Sequence, residues 1–412
     1  MMPLQLKDAS TESRSGGLGP EHPLHLLFLA LDVDLGTQRG EAIHTRELAR
    51  FLAARGIRVD LVTATPLGAV PHLGAGVFHH TRPSSSDWAQ VRLCTRLARE
   101  GESHAIYERR LSPKIAFAVS RLVGIPFLVE VNGVEEEAAI LGRTTRPVRR
   151  ALTFPLRRRI YHAAATVIAV SDPLAALVRD LHGLPQGRVV PIPNGVDTDR
   201  FTPLEPAEAR ARLGLPAGLW ILFVGNLVPW QGVETLLEAF RRVSMSVPEA
   251  RLAIVGDGPL RGPLEGLARE LQIANRVYFP GTVPHEDVPR FIGASDVCAA
   301  PFTQMRNARI GLSPLKLYEY LACGRPIVAS DVPGVRELLD GSGAGILVRP
   351  DDPGALTKAL VSILNDPLRA RSMGVRGRGF AFDSCSWART AERLEGLLRA
   401  AVRTVRKGGR AS

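Results

Sequence analysis

Cysteine is scarce in this chain: Cys94, Cys298, Cys323 and Cys385 are scattered through 412 residues, with no C-x-x-C pair. That spacing argues against a zinc site or a disulfide framework and fits small buried thiols in a reducing compartment. Long hydrophobic runs are also missing. No apolar segment reaches the roughly 18 residues that a membrane-spanning helix needs, so no bilayer-crossing helix is expected. Repeats and low-complexity tracts are absent, and acidic residues fall short of basic ones, 41 against 52, for a net charge of +11. Such an imbalance favours anionic partners such as nucleotides, anionic lipid or nucleic acid. The basic residues are not interleaved with stacking aromatics, which form only 6% of the chain, so no specific nucleic-acid partner is expected. Residues 1–22 are rich in Gly, Ser and mixed charge and lack an apolar core, and are expected to be a disordered tail rather than a signal peptide.

What is present is two series of strand-like runs alternating with helical segments. "HLLFLAL", "RVDLVTA", "HAIYE", "PFLVEV", "ATVIAVS" and "RVVPIP" make the first series. "WILFVGN", "RLAIVGDG", "RVYFPG", "DVCAAPF", "PIVASD" and "GILVRP" make the second. Strands without polar alternation, separated by helices, predict parallel sheets covered on both faces, so each half is expected to be a Rossmann-type α/β domain. "PNGVDTDRFTP" interrupts the rhythm with Pro, Asn-Gly and Asp and reads as the connection. The expected division is a first domain over 23–197, a second over 198–385, and an amphipathic helix over 386–412 that crosses back to the first. Ligands in this architecture lie at the C-terminal ends of the strands, which here means the cleft between the two domains.

"GLSPLKLYEYLACGRPIVAS" (311–330) carries the most chemistry per residue. Ser313 is a candidate cap, Pro314 suits the first helical position and Gly324 a left-handed stop, so a short helix is expected, with Leu317 and Leu321 on its apolar stripe. Glu319 lies off that stripe. A free helix N-terminus at Leu312–Leu315 offers N–H groups to phosphate, and a carboxylate one turn behind offers acceptors to sugar hydroxyls. The plain alternative is an exposed ion pair between Glu319 and Lys316.

"VIAVSDPLAALV", "VVPIPNGVDTDRF", "GNLVPWQGVETLLEAF", "LAIVGDGPLRGPLE", "GTVPHEDVPRFIGASDVCAAPF" and "SPLKLYEYLACGRPIVASDVPGVRELL" resemble, in order and spacing, the retaining sugar transferases of glycosyltransferase family 4. The resemblance spans roughly residues 25–400 and implies the GT-B fold, two Rossmann-like domains facing across a cleft. It further implies transfer of a sugar from a UDP- or GDP-linked donor to a hydroxyl acceptor, a glycan or a lipid-linked molecule, with retention at the anomeric carbon. By resemblance, Glu319 grips the ribose of the donor. Gly40, Asn226, Gln231, Gly232, Val283, Gly311, Leu312, Ser313, Leu315 and Lys316 are the other donor-side candidates.

Two departures from the family pattern stand out. Gly311 occupies the place of the first glutamate of the family's pair, and Asn226 and Gln231 replace the Arg and Lys that usually face the diphosphate. Charge stabilisation must then come from elsewhere, with Lys316, Arg309 or Arg39 as sources, or catalysis is impaired and the chain binds donor without transfer. On the acceptor side the candidates are Arg109, as a catalytic residue, with Arg39, Asn132 and Glu135. No metal or cofactor is expected, and the D-x-D in "LDVDLG" reads as a loop coincidence. Seven arginines, Arg143, Arg146, Arg149, Arg150, Arg157, Arg158 and Arg159, are mixed with apolar residues in a segment that suits an anionic membrane surface, and Pro147 and Pro155 are expected to break any long helix there. The expected location is cytoplasmic, peripheral on the inner face of the membrane.

Overall fold

The computed structural model describes residues 23–67, 73–83, 86–133, 147–304, 307 and 312–408. Seven strands form the first sheet: β1 (His25–Ala30), β2 (Arg58–Thr63), β3 (Val77–Thr81), β4 (Ala105–Arg109), β5 (Phe127–Val131), β6 (Thr166–Ala169) and β7 (Val189–Pro191). All pairings are parallel, in the order β3-β2-β1-β4-β5-β6-β7. Six strands form the second: β8 (Leu219–Val224), β9 (Ala250–Val255), β10 (Val277–Gly281), β11 (Val297–Ala300), β12 (Ile327–Ser330) and β13 (Gly345–Val348), again parallel, in the order β10-β9-β8-β11-β12-β13. Each order reverses once, between β1 and β4 and between β8 and β11.

Alternation along single strands shows why the runs carry no polar period. On β1, Leu26, Phe28 and Ala30 enter one apolar cluster while Leu27 and Leu29 enter another on the opposite face. On β8, Trp220 and Leu222 face one cluster and Ile221 and Phe223 the other. Each such Leu, Ile or Phe side chain contributes roughly 1.5–3 kcal/mol by leaving water, so both faces must be apolar.

Strand β3, "VFHHT", is an edge strand that sequence reading passes over. Its residues are mostly half-exposed, and two of the five are histidines. Tertiary partners hold it: His80 Nε2 meets Asp60 Oδ1 at 2.8 Å and His79 Nε2 meets Thr63 Oγ1 at 2.8 Å. A second departure is the Pro147–Ala163 helix, which runs through Pro155. Pro155 is exposed; the carbonyl it leaves without an N–H can turn to water, while buried Ile160 and Tyr161 hold the helix to the lobe.

The helix Trp387–Gly408 returns to the first sheet. Trp387, Leu394, Leu398 and Val402 share an apolar cluster with Leu48 and Leu52 of the helix Gly40–Ala54. Near its start the linker passes close enough that a Cβ on Gly195 would lie 2.6 Å from the Trp387 nitrogen, which explains a glycine there.

Candidate active site between the two sheets

A cavity of about 310 Å³ opens at the C-terminal edges of both sheets. From the first lobe it is lined by Gln38, Gly40, His44 and Arg109, from the linker by Asn194, and from the second lobe by residues following β8, β9 and β10 and by the start of the helix Leu315–Ala322. It therefore sits where each strand order reverses, the crevice in which open α/β sheets bind ligands.

The helix Leu315–Ala322 has Pro314 at its N-cap, with no side-chain cap. Ser313 is not the cap expected from sequence. Its hydroxyl accepts from the Asn194 N–H at 2.9 Å and lies 3.0 Å from the Tyr318 hydroxyl, because the linker competes for it. Gly324 does adopt the left-handed stop, φ 65°. Glu319 is buried and accepts from His285 Nε2 at 2.8 Å, not from Lys316. The exposed ion pair is thus excluded.

Lys316 instead reaches back to the segment after β8. Its ammonium donates to Gln231 Oε1 at 2.7 Å and stands 3.8 Å from the centre of the Phe223 ring. Burial pulls its pKa down to about 7, with the Glu319 charge opposing. The segment accommodates it through Gly225, φ 146°, whose Cβ would fall 2.6 Å from Nζ. Thus a cation occupies the neighbourhood of Gln231, delivered from a different element.

Among the other donor-side candidates, Gly40, Asn226, Gln231, Val283, Ser313 and Leu315 line the cavity. Leu315 also packs on the first-lobe cluster, within 3.7 Å of a Cβ on Gly40. Gly232 and Leu312 do not line it. Gly232 (φ 67°) is needed for a different close approach, since a Cβ there would meet the Pro301 carbonyl oxygen at 1.9 Å. Leu312 is held by Pro333, its N–H donating at 3.0 Å. Arg39 is the N-cap residue of the helix Gly40–Ala54, exposed and outside the lining. Gly311, Glu135, Arg143 and Arg146 lie outside the described residues, as do Arg309 and the side chains of Arg149 and Arg150.

On the first lobe Arg109 lines the cavity and donates from Nε to Glu130 Oε1 at 3.1 Å. Asn132 donates to the same oxygen at 2.7 Å. Glu130 Oε2 accepts from the Tyr107 hydroxyl and from His44 Nε2, the latter at 3.0 Å. Burial pushes the Glu130 carboxyl up, but His44, Arg109 and Tyr107 overcome it and hold it at about 2. His44 Nδ1 faces Asn194 Oδ1 at 2.6 Å, and Asn194 is oriented by donating Nδ2 to the Ser313 carbonyl at 2.6 Å. Both ring nitrogens thus face oxygen atoms, Nδ1 that of Asn194 and Nε2 that of Glu130. Neighbouring Glu108 has the opposite fate: burial raises it to about 8 although Oε2 accepts the Ala116 N–H at 2.7 Å, and it caps a helix rather than facing the cavity. In the D-x-D, Asp32 pairs with Arg110 and Asp34 accepts the Gly36 N–H at 3.0 Å, so both serve their loop.

His44, Tyr107, Glu130, Asn194 and His285 escaped the sequence reading as site residues. A signal existed for two of them. Glu130 is a charge inside the otherwise apolar "FLVEV", and His44 lies on the same helix face as Leu48 and Leu52; a polar residue on a buried face must find partners or cost several kcal/mol. Nothing local separates His285 from Glu286 and Asp287.

Of the arginine cluster, Arg158 and Arg159 are exposed, whereas Arg157 is 4% exposed and is no part of a basic surface. Its helix turns that position inward, beside Ile160 and Tyr161. No helix among the described residues is long and apolar enough to cross a membrane.

Comparison with known proteins adds to this geometry. The model of Glycosyltransferase Family 4 matches residues 39–200, and that of Glycosyl transferases group 1 matches residues 218–366, together most of the chain. A GDP-mannose-dependent alpha-(1-6)-phosphatidylinositol monomannoside mannosyltransferase of Mycolicibacterium smegmatis is 37% identical over 246 residues, spanning 58% of this chain and 64% of that protein. A D-inositol 3-phosphate glycosyltransferase of Acidothermus cellulolyticus is 29% identical over 407 residues, 89% of this chain and 87% of that protein. Among solved structures, sucrose-phosphate synthase from Thermosynechococcus elongatus superposes with a TM-score of 0.77 at 24% identity, over 92% of this chain and 100% of that one. Anabaena Alr3699/HepE in complex with UDP does so at 0.71 and 19%, also over 92% and 100%. These structural likenesses establish the fold, GT-B.

Proposed function

From its membership of glycosyltransferase family 4, to which the chain belongs, we propose that this glycosyltransferase takes its sugar from a nucleoside-diphosphate donor, UDP- or GDP-linked, and passes it to a hydroxyl of a glycan or lipid-linked acceptor with retention of configuration. The observation that carries the reading is the helix Leu315–Ala322, which brings Lys316, Glu319 and its own uncapped N-terminus to one cavity. A nucleotide sugar presents those three groups with a diphosphate and a pentose diol. Helix N–H groups and an ammonium suit the former, and a carboxylate that accepts two hydroxyl hydrogen bonds suits the latter.

Lys316 also bears on the reading of an impaired, binding-only relative. The missing charge at Asn226 and Gln231 is replaced by an ammonium at 2.7 Å from Gln231, so the departing diphosphate still meets a cation. Retention without an enzymic nucleophile is accounted for by a front-face reaction in which the leaving phosphate takes the acceptor proton. The enzyme then supplies orientation and charge stabilisation. Arg109, beside Glu130, faces the acceptor from the first lobe. The reading asks for no resident metal, and turnover is expected to survive chelation by EDTA.

The M. smegmatis and A. cellulolyticus relatives direct the choice of substrates. The purified protein is to be assayed with UDP-glucose, UDP-N-acetylglucosamine and GDP-mannose against inositol phosphate and phosphatidylinositol mannoside acceptors, with NMR of the new anomeric centre. Turnover with an axial donor giving an axial product is expected; an inverted product removes retention, and neither binding nor turnover with any donor removes the function.

A lipid-linked acceptor is further supported by exposed Arg158 and Arg159 next to Leu156, which is 42% exposed. Each such charge near an anionic bilayer contributes about 1 kcal/mol. Flotation with anionic vesicles, weakened in Arg158→Glu/Arg159→Glu and absent with zwitterionic vesicles, is the expected result for a protein peripheral to the cytoplasmic face.

A further inference from the structure

Glu319 is gripped from behind, and the grip begins in the other lobe. His285, 7% exposed, donates from Nε2 to Glu319 Oε1, leaving Oε2 without a hydrogen bond among the described residues. The other ring nitrogen, Nδ1, faces Arg200 Nη1 at 3.5 Å. A guanidinium only donates, so Nδ1 is the acceptor and the ring carries its proton on Nε2, toward the carboxylate. The Phe201 ring lies 5.2 Å from the imidazole, tilted at 49° to it.

Arg200 is itself held from the first lobe. Its Nη1 donates to Glu47 Oε1 at 3.0 Å. Glu47 belongs to a ladder in which residues three apart on the helix Gly40–Ala54 meet residues three apart on the linker: His44 with Asn194, Glu47 with Arg200, and Arg50 with Asp197. Each linker rung hands on a contact or restraint to the chain beyond it; the Arg200 rung ends on His285 and so on Glu319.

We propose that His285 is a positioning residue for donor binding: by holding Oε1 it offers Oε2 of Glu319 to the donor diol, and Glu47 of the first lobe fixes that orientation through Arg200. This deepens the functional reading above and rests on it. The pentose would then be gripped at full strength only when the first-lobe helix is docked on the linker, which ties the donor site to the arrangement of the lobes.

The test uses the full chain and its His285→Ala, His285→Gln, Glu319→Ala, His285→Ala/Glu319→Ala and Glu47→Gln variants. Calorimetry with UDP and GDP gives affinities, initial rates give donor KM and kcat, and thermal melts report folding. His285→Ala is expected to weaken nucleotide binding and raise donor KM about 10-fold with kcat changed less than about 3-fold. His285→Gln, whose Nε2 can donate to the same oxygen, is expected to recover most of the loss, and Glu47→Gln to raise KM about 3-fold. In the Glu319→Ala background, His285→Ala should cost nothing further, because its effect passes through that carboxylate. Additive losses, or His285→Gln no better than His285→Ala, overturn the proposal, and an unchanged KM in Glu47→Gln overturns its first-lobe half. Should His285→Ala not fold, His285→Met, which fills similar volume but has no N–H to donate, takes its place alone and combined with Glu319→Ala, against the same His285→Gln rescue. Wild-type protein that binds neither nucleotide removes the functional reading; wild-type binding, weakened in Glu319→Ala but not in the His285 variants, removes the positioning role alone.

Discussion

On the second lobe, Lys316 and Glu319 face the cavity from one helix, three residues apart, and each has few partners: one acceptor for the ammonium, one donor for the carboxylate. On the first lobe, Glu130 is surrounded by His44, Tyr107, Arg109 and Asn132 and accepts from all four. The same kind of sheet edge has been used in two ways. Groups with spare hydrogen-bonding capacity are available to a ligand, whereas a carboxylate with its lone pairs occupied is committed to holding its neighbours in place. The second lobe thus keeps charged groups with spare hydrogen-bonding capacity at the cavity, and the first holds a hydrogen-bonded scaffold that orients Arg109 and His44.

The contrast is breakable at several points. The largest effect is expected from Glu130→Gln, which removes the buried carboxylate that His44, Tyr107, Arg109 and Asn132 all donate to: a stability loss of about 3 kcal/mol, read by denaturant melts. A loss under 1 kcal/mol would mean that the first-lobe cluster is no scaffold. The pH dependence has a definite sign. Because the folded Glu130 carboxyl is held at about 2, below its ordinary 4.5, its contribution is present above about 4.5 and lost as the pH falls toward 2.

Next in size is Lys316→Met, expected to lower kcat about 100-fold, in line with loss of one preorganised charge-stabilising donor, with a stable fold. Because folding lowers this lysine from 10.5 to about 7, the unfolded chain binds more protons between those values, and wild-type stability gains with rising pH across that window. Lys316→Met should remove the gain. Binding of a nucleoside diphosphate above pH 7 should take up a proton, detectable by calorimetry in buffers of different ionisation enthalpy, and the variant should not.

Glu319→Ala is expected to reduce kcat/KM about 30-fold, roughly 2 kcal/mol, mostly through donor KM, as for the loss of one or two charge-assisted hydrogen bonds. An effect confined to stability would reassign it to the scaffold class and erase the difference between the lobes. The smallest change sharpens the comparison within the first lobe itself. Folded Glu108 is raised to about 8, so stability from this group declines as the pH rises from about 4.5 to 8. Glu108→Gln should flatten that decline without touching turnover, the reverse of the Glu130 slope.

The legibility of the site follows the same division. Glu319, Lys316, Ser313 and Leu315 were visible because they share one contiguous segment with its own helix signals, and the cavity does include all four. Local rules erred by the width of a cap: Ser313 left the helix end for Asn194, 119 residues away in sequence. Gly232, a donor-side candidate by resemblance, lies outside the cavity lining and is required instead by the close approach of the protein's own Pro301 carbonyl. Strand β3 carries no apolar run to mark it, because an edge strand half open to water needs none. Arg157 is buried although its neighbours Arg158 and Arg159 are exposed; a charge run does not reveal which side of a helix faces inward.

Sequence alone determined the two parallel sheets, since strands buried on both faces must be apolar throughout, and it determined the short helix that brings Lys316 and Glu319 to the cavity, since glycine stops and apolar stripes act over a few residues. Tertiary structure decided which partners each charged group acquired. Glu130 with His44, Glu319 with His285, and Lys316 with Gln231 are each joined across 34 to 86 positions. Hydrogen bonds and desolvation depend on distance in space, and only the folded chain sets that distance.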